Sequence, residues 1–191
     1  MSVDEVFAEH ARVMAQAATE LPAVLERITA AAAQCLRRGG RILACGNGGS
    51  AADAQHLVGE LVGRFRDERE ALAAVALTAD TALITAVAND YGYERVFARQ
   101  VEALARPGDV LVALSTSGNS PNVVQAAEAA RRRGCTVVAF TGAGGGQLAA
   151  HADLHLSAPS SVVARIQEVH GVCIHALCEG LDRLLAGAGR A

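Results

Sequence analysis

Along this chain, short apolar runs alternate with longer segments whose apolar positions recur every three or four residues. The runs are RILAC (41–45), ALAAVAL (71–77), DVLVAL (109–114), CTVVAF (135–140) and a weaker DLHLSA (153–158). Their near-continuous hydrophobicity predicts strands buried on both faces of a parallel sheet. Segments 50–64, 80–104 and 119–132 carry helical spacing between them. Ahead of the first strand, residues 2–37 read as two helices parted near Leu21-Pro22, where the proline suits a first turn, and Gly39-Gly40 ends the pair. A closing helix over roughly 161–186 follows Pro159, with Ser160 as its candidate cap. The expected fold class is α/β, a doubly wound parallel five-stranded sheet flanked by helices. Residues 1–38 form an N-terminal helical arm on a domain spanning 39–191, one structural unit in all.

Composition changes this picture mainly by exclusion. The chain is 51% hydrophobic but only 3% aromatic, without tryptophan, which suits small helices packed on a small sheet. A net charge of -3 gives no electrostatic footprint for nucleic acid. The run Arg131-Arg132-Arg133 ends a predicted helix before Gly134, where it complements the helix dipole. None of the 17 basic residues is a lysine. Schiff-base aldol chemistry, pyridoxal-phosphate catalysis and a Walker-type P-loop all need a lysine amine and are excluded. The stretch MSVDEVFAEH carries acids where a secretion signal would be basic, and AVALTADTALITAVA contains Asp80 and falls short of a membrane span. Cys35, Cys45, Cys135, Cys173 and Cys178 show no CxxC spacing and sit in apolar runs, as reduced core residues do. A cytoplasmic protein without membrane contact is the expectation.

In a sheet of this kind, ligands bind where strands end and loops lead into helices. Two such loops stand out. Gly46-Asn47-Gly48-Gly49-Ser50 fits a dinucleotide fingerprint loosely. That reading wants an acid near the end of the second strand, and the charged loop Asp67-Glu68-Arg69-Glu70 comes too early. The second loop is Ser115-Thr116-Ser117-Gly118-Asn119-Ser120. Its four hydroxyls open onto a helix, where hydroxyls and backbone N–H groups can hold a phosphate without any lysine. A capped turn would explain the serines alone; paired with the glycine loop, a monophosphate site is the better reading.

His56 and Glu60 stand four apart on one helix and share a face, a pairing that is commonly mere surface decoration. On the closing helix, Gln167 and His175 are eight apart, about 12 Å of rise and about 80° of rotation. They could serve one ion only at full stretch, or from two subunits. His170 is out of phase with them, and His10, His151 and His155 read as surface or strand-edge residues. Two imidazoles, a carboxylate and an amide oxygen would suit zinc or a similar divalent ion. Spacing alone does not select these four.

Taken together, GNGGSAADAQH, ANDYGYE, DVLVALSTSGNSPNV and RIQEVHGVCIHALCE resemble the bacterial phosphoheptose isomerases of the SIS (sugar isomerase) family over about residues 40–185. The resemblance implies interconversion of sedoheptulose 7-phosphate and D-glycero-D-manno-heptose 7-phosphate, early in the making of activated heptose. It implies a homotetramer with active sites between subunits and the helical arm packing in the oligomer. By matching position it implies that Asn47, Gly48, Gly49, Ser50, Asn89, Asp90, Ser115, Thr116, Ser117, Ser120 and Gln167 line the substrate. His56, Glu60, Gln167 and His175 would hold one Zn2+, with Glu60 and His175 as the acid/base pair. One position departs: Ala164 stands where some relatives carry Asp. The rival readings are a non-catalytic SIS protein that binds the replication initiator, a sugar-phosphate sensor, and an isomerase of another sugar phosphate. Retention of His175 with Glu60 favours the enzyme over the initiator-binding protein, and a sensor would not need His56 and Glu60.

Overall fold

The computed structural model describes residues 2–186; the ends of the 1–38 and 39–191 segments, Met1 and 187–191, lie outside the described residues. Helix α1 (Val3–Glu20) opens with a capping box, Ser2 and Glu5 each satisfying the other's backbone N–H. Helix α2 (Pro22–Arg37) follows directly, Pro22 taking the first-turn position expected of it. Strands β1 (Ile42–Cys45), β2 (Ala74–Ala76), β3 (Val110–Ser115), β4 (Thr136–Thr141) and β5 (Leu154–Ser157) form one wholly parallel sheet in the order β2-β1-β3-β4-β5. Helices α3 (Gly49–Val62), α4 (Thr81–Tyr91), α5 (Ala98–Leu104), α6 (Pro121–Arg132) and α7 (Val163–Leu185) cover it.

Strand alternation divides the core in two. Ile42, Ala44, Val110, Val112 and Leu114 face one way, into a cluster with residues of α1, α2, α3 and α7. Leu43, Cys45, Leu111 and Ala113 face the other way, towards α5 and α6, with α4 at the margin. The central strands β1, β3 and β4 are buried on both faces because each face has its own helical layer, while the edge strands β2 and β5 are only partly covered. The N-terminal helices are part of this packing, since Ile28, Ala32 and Ala33 of α2 are buried in the first cluster.

Three expectations need correction. The run 71–77 yields a strand of only three residues, because β2 is an edge strand paired to β1 alone and the preceding segment instead docks on α3 through Leu72 N–H to Leu61 O. The single helix expected over 80–104 is two, broken at Gly92 (φ 90°) with a 3-10 turn at Tyr93–Arg95. Ser160 does not cap α7: Val162 holds that position, and the Ser160 hydroxyl accepts the Val162 N–H two residues early.

The strand order fixes where a ligand can enter. From β1 the chain moves outward to β2, then crosses back to β3 on the other side and continues to β5. The loops after β1 and β3 therefore diverge and leave a crevice at the switch point. These are the glycine and serine loops.

Candidate active site at the strand switch point

The glycine loop turns on two constrained residues. Gly48, which precedes α3, sits at φ 56°, a conformation costly for any side chain. Gly46 lies so close to the next turn that a Cβ would stand 2.6 Å from the Ser50 carbonyl oxygen. Asn47 between them is held from two sides. Its Nδ2 donates to Asn122 Oδ1 at 2.8 Å, Asn122 Nδ2 donates back to Asn47 Oδ1 at 2.8 Å, and the Tyr93 hydroxyl donates to that oxygen at 3.1 Å. Asn122 is buried in the first turn of α6, so this reciprocal amide pair ties the loop after β1 to the loop after β3. Gly49 is exposed and Ser50 buried. Gln167 of α7 lies over Gly49, where a Cβ would fall 2.2 Å from its Nε2; glycine leaves the amide its room.

The serine loop gathers its hydroxyls. Ser115 Oγ is 3.0 Å from Ser120 Oγ and 3.5 Å from Ser117 Oγ. Ser120 is the N-cap residue of α6 but spends its hydroxyl on no capping bond. Thr116 is half-buried, and its carbonyl accepts from Gly142 N–H at 3.0 Å. Converging hydroxyls at a helix N-terminus favour an anion.

Sequence reading passed over what supports this loop. Gly118 (φ 65°) abuts the segment Gly142–Gly146, and a Cβ on it would stand 2.0 Å from the Gly145 carbonyl oxygen. Leu148 N–H donates to Gly118 O at 2.9 Å, and Gln147 N–H donates to Asn119 Oδ1 at 3.0 Å. The run Gly144-Gly145-Gly146 was the available signal. Asn122 and Tyr93 were also missed; each sits inside a quoted motif, but only the fold brings them to Asn47.

Helices α3 and α7 pack against one another and bring His56, Glu60 and His175 together, one ligand atom of each lying within 4.8 Å of the others. His56 Nε2 is 3.2 Å from Glu60 Oε1 and 3.2 Å from His175 Nε2. The two rings meet edge to face, and Phe65 lies beside His175 with centroids 5.4 Å apart. Two nitrogens each about 2.0–2.1 Å from a tetrahedral ion would be about 3.3 Å apart, so the donor set and its spacing fit zinc. Asp53, one turn before His56, has an Oδ2 without a partner among the described residues; burial pushes its carboxyl up while His56 pulls it down.

Not every candidate joins these groups. Gln167 lies against Gly49, at the far end of α3 from Glu60. Asn89 and Asp90 are exposed at the end of α4 and bond to each other at 2.8 Å, with no hydrogen bond to the other candidates among the described residues. Ala164 is exposed. His10 pairs with Glu168 at 2.7 Å, His151 lies 3.5 Å from Glu128, and His155 bonds the Thr141 hydroxyl at 2.8 Å. His170 is fully buried, with Nε2 on the Thr141 carbonyl at 3.1 Å; burial lowers its pKa to about 4.

Comparison with known proteins agrees with this geometry. A model of the SIS domain matches residues 5–142. A phosphoheptose isomerase of Roseiflexus sp. (strain RS-1) is 57% identical over 85% of this chain and 81% of its own length. One from Aromatoleum aromaticum is 51% identical over 97% of this chain and 95% of its own. The solved structure of the Neisseria gonorrhoeae phosphoheptose isomerase superposes with a TM-score of 0.90 at 48% identity, covering 95% of this chain and 97% of the other. This chain belongs to the SIS domain family and, within it, to the phosphoheptose isomerases.

Proposed function

We propose that this chain interconverts sedoheptulose 7-phosphate and D-glycero-D-manno-heptose 7-phosphate through an enediol. The observation that carries the reading is the convergence of His175 of α7 with His56 and Glu60 of α3, the helix that follows the glycine loop. Ser115, Thr116, Ser117 and Ser120 take the phosphate, which needs no lysine there because the donors are hydroxyls and α6 backbone N–H groups. Asn47, Gly48, Gly49, Ser50, Asn89, Asp90 and Gln167 line the sugar. His56 stands seven residues beyond Gly49, about 10 Å along α3, so the reacting end lies well away from the glycine loop. A long sugar suits that separation better than a short one.

Glu60 removes a proton from C1 of the ketose and returns it to C2, while His175 delivers a proton to O2 and recovers one from O1. A zinc ion held by His56, Glu60 and His175 would polarise the carbonyl oxygen. Gln167 is the fourth ligand of this proposal, and its rise of about 12 Å from His175 is a span that a second copy of α7 would remove. Glu60 and His175 cannot be bound ligands and free proton carriers at one instant: either one of the two would be free of the ion when it carries a proton, or the ion would supply most of the polarisation.

The active unit is a homotetramer with its sites between subunits and the arm 1–38 packed in the oligomer. An apolar groove of about 510 Å³ between α1, α2 and α7, bordered by Met14, Leu25 and Val172, supports that reading. A cytoplasmic location is supported by five free, buried cysteines. Among the described residues no helix is long and apolar enough to cross a membrane.

The test is incubation with sedoheptulose 7-phosphate in D2O, followed by NMR, with and without a chelator. The expected result is an aldoheptose phosphate carrying deuterium at C2, lost on chelation and restored by zinc. An unchanged ketose with zinc present would refute the assignment.

A further inference from the structure

Outside the groups described so far, Arg69 stands out among the described residues for the number of groups its side chain bonds. It lies in the connection between α3 and β2, and its side chain is 13% exposed. Its Nη2 donates to the Glu60 carbonyl at 2.7 Å and its Nη1 to the Leu61 carbonyl at 2.9 Å. Its Nε donates to Asp182 Oδ1 on α7 at 2.7 Å. Asp182 is itself 11% exposed, and its Oδ2 has no hydrogen-bond partner among the described residues.

One guanidinium thus satisfies two carbonyls in the last turn of α3, left without helical partners as at any helix end, and anchors them to a carboxylate two turns beyond His175. The two helices it joins are those that meet in the His56–Glu60–His175 cluster. One of its bonds falls on the backbone of Glu60. Ring and carboxylate positions in such a cluster depend on the separation and rotation of α3 against α7, which nothing in the cluster sets by itself. A planar fork can hold a carbonyl pair and a carboxylate together, whereas an ammonium is a single point of charge.

We propose that Arg69 and Asp182 form a cross-brace that positions the cation-binding cluster, acting through the α3 backbone rather than by touching ion or sugar. The proposal rests on the reading of that cluster as a metal site. The brace fixes the register of Glu60 against His175, so loosening it weakens cation binding before it unfolds the chain.

The experiment titrates the full chain with Co2+, reading affinity by chelator competition and geometry by the visible absorption of the ion. R69K keeps the charge opposite Asp182, and D182N keeps its volume and one acceptor, so either variant reads the brace if the other fails to fold. The expected result is a loss of Co2+ affinity of about 10–100-fold with an altered spectrum, the size usual for residues that orient metal ligands, while the thermal transition of the folded variant remains cooperative. A lowered melting temperature with unchanged Co2+ affinity and spectrum would make the pair merely structural and overturn the proposal. If the wild-type chain takes up no Co2+, the metal reading of the cluster fails and this inference falls with it. If wild type binds and both variants bind equally, only the inference falls.

Discussion

The serine loop and the His56–Glu60–His175 cluster belong to one candidate site but are built in opposite ways. The serine loop is six consecutive residues in which Ser115 bonds the hydroxyls of Ser117 and Ser120, set by the end of β3 and the start of α6. The cluster joins residues 119 apart in the chain and exists only because α3 packs on α7. The first is a local structure that a neighbouring turn supports. The second is a tertiary product, sensitive to anything that shifts one helix against the other.

The largest expected effect separates chemistry from placement. Glu60→Gln retains the shape of the side chain and its place on α3 but removes the base. Turnover of sedoheptulose 7-phosphate should fall by about 10²–10⁴-fold, the usual contribution of a positioned general base, with circular dichroism unchanged. Retained activity in the NMR assay would remove Glu60 from the mechanism.

Next comes a break on the serine-loop side. Gly118→Ala would put a Cβ 2.0 Å from the Gly145 carbonyl oxygen, a backbone atom that cannot swing away, at a φ of 65° that alanine rarely adopts. Strain and overpacking together should cost about 2–5 kcal/mol, read as a large drop in melting temperature. A variant as stable as wild type would mean that Gly142–Gly146 does not support the loop.

The same contrast explains what the sequence disclosed. Strand positions, the Leu21-Pro22 break and both loops were legible because hydrophobic period and turn chemistry are local signals. The break at Gly92 was not, since 80–104 keeps helical spacing through it. The two-residue offset at Ser160 escaped because hydroxyls cap turns as readily as helices. Spacing on α3 could pair His56 with Glu60, but nothing in the sequence's periodicity could bring His175 to them; that came only through resemblance. Asn122 illustrates the same limit. Within its motif it reads as an ordinary first-turn residue, and its bond to Asn47 spans 75 positions.

Smaller changes sharpen the comparison. Ser120→Ala removes one hydroxyl from the anion cradle while leaving Pro121 to start α6. A hydrogen bond to a charged group is worth about 1.5–3 kcal/mol, so KM for the sugar phosphate should rise about 10–100-fold with kcat little altered. A fall in kcat at constant KM would instead place Ser120 with the reacting groups.

The smallest effect compares two histidines on α7 itself. His170 and His175 are five residues apart, about 140° around the helix; His175 faces the cluster, while His170 is buried against the Thr141 carbonyl of β4. Burial disfavours the charged form of His170 and lowers its pKa from 6.5 to about 4. The unfolded chain therefore binds a proton below about pH 6.5 that the folded chain refuses until about pH 4. Stability from this residue is intact above that window and is lost as pH falls through it, by at most about 1.4 kcal/mol per pH unit. His155, lowered by burial as well, acts in the same direction, so the contribution of His170 must be read as a difference. His170→Gln can still donate to the Thr141 carbonyl but does not titrate. Urea unfolding of both proteins without added metal should show a shallower acid limb for the variant. Equal slopes would mean that burial does not hold His170 neutral in the folded chain, and the contrast between a buried His170 and a His175 that faces the cluster would lose its electrostatic part.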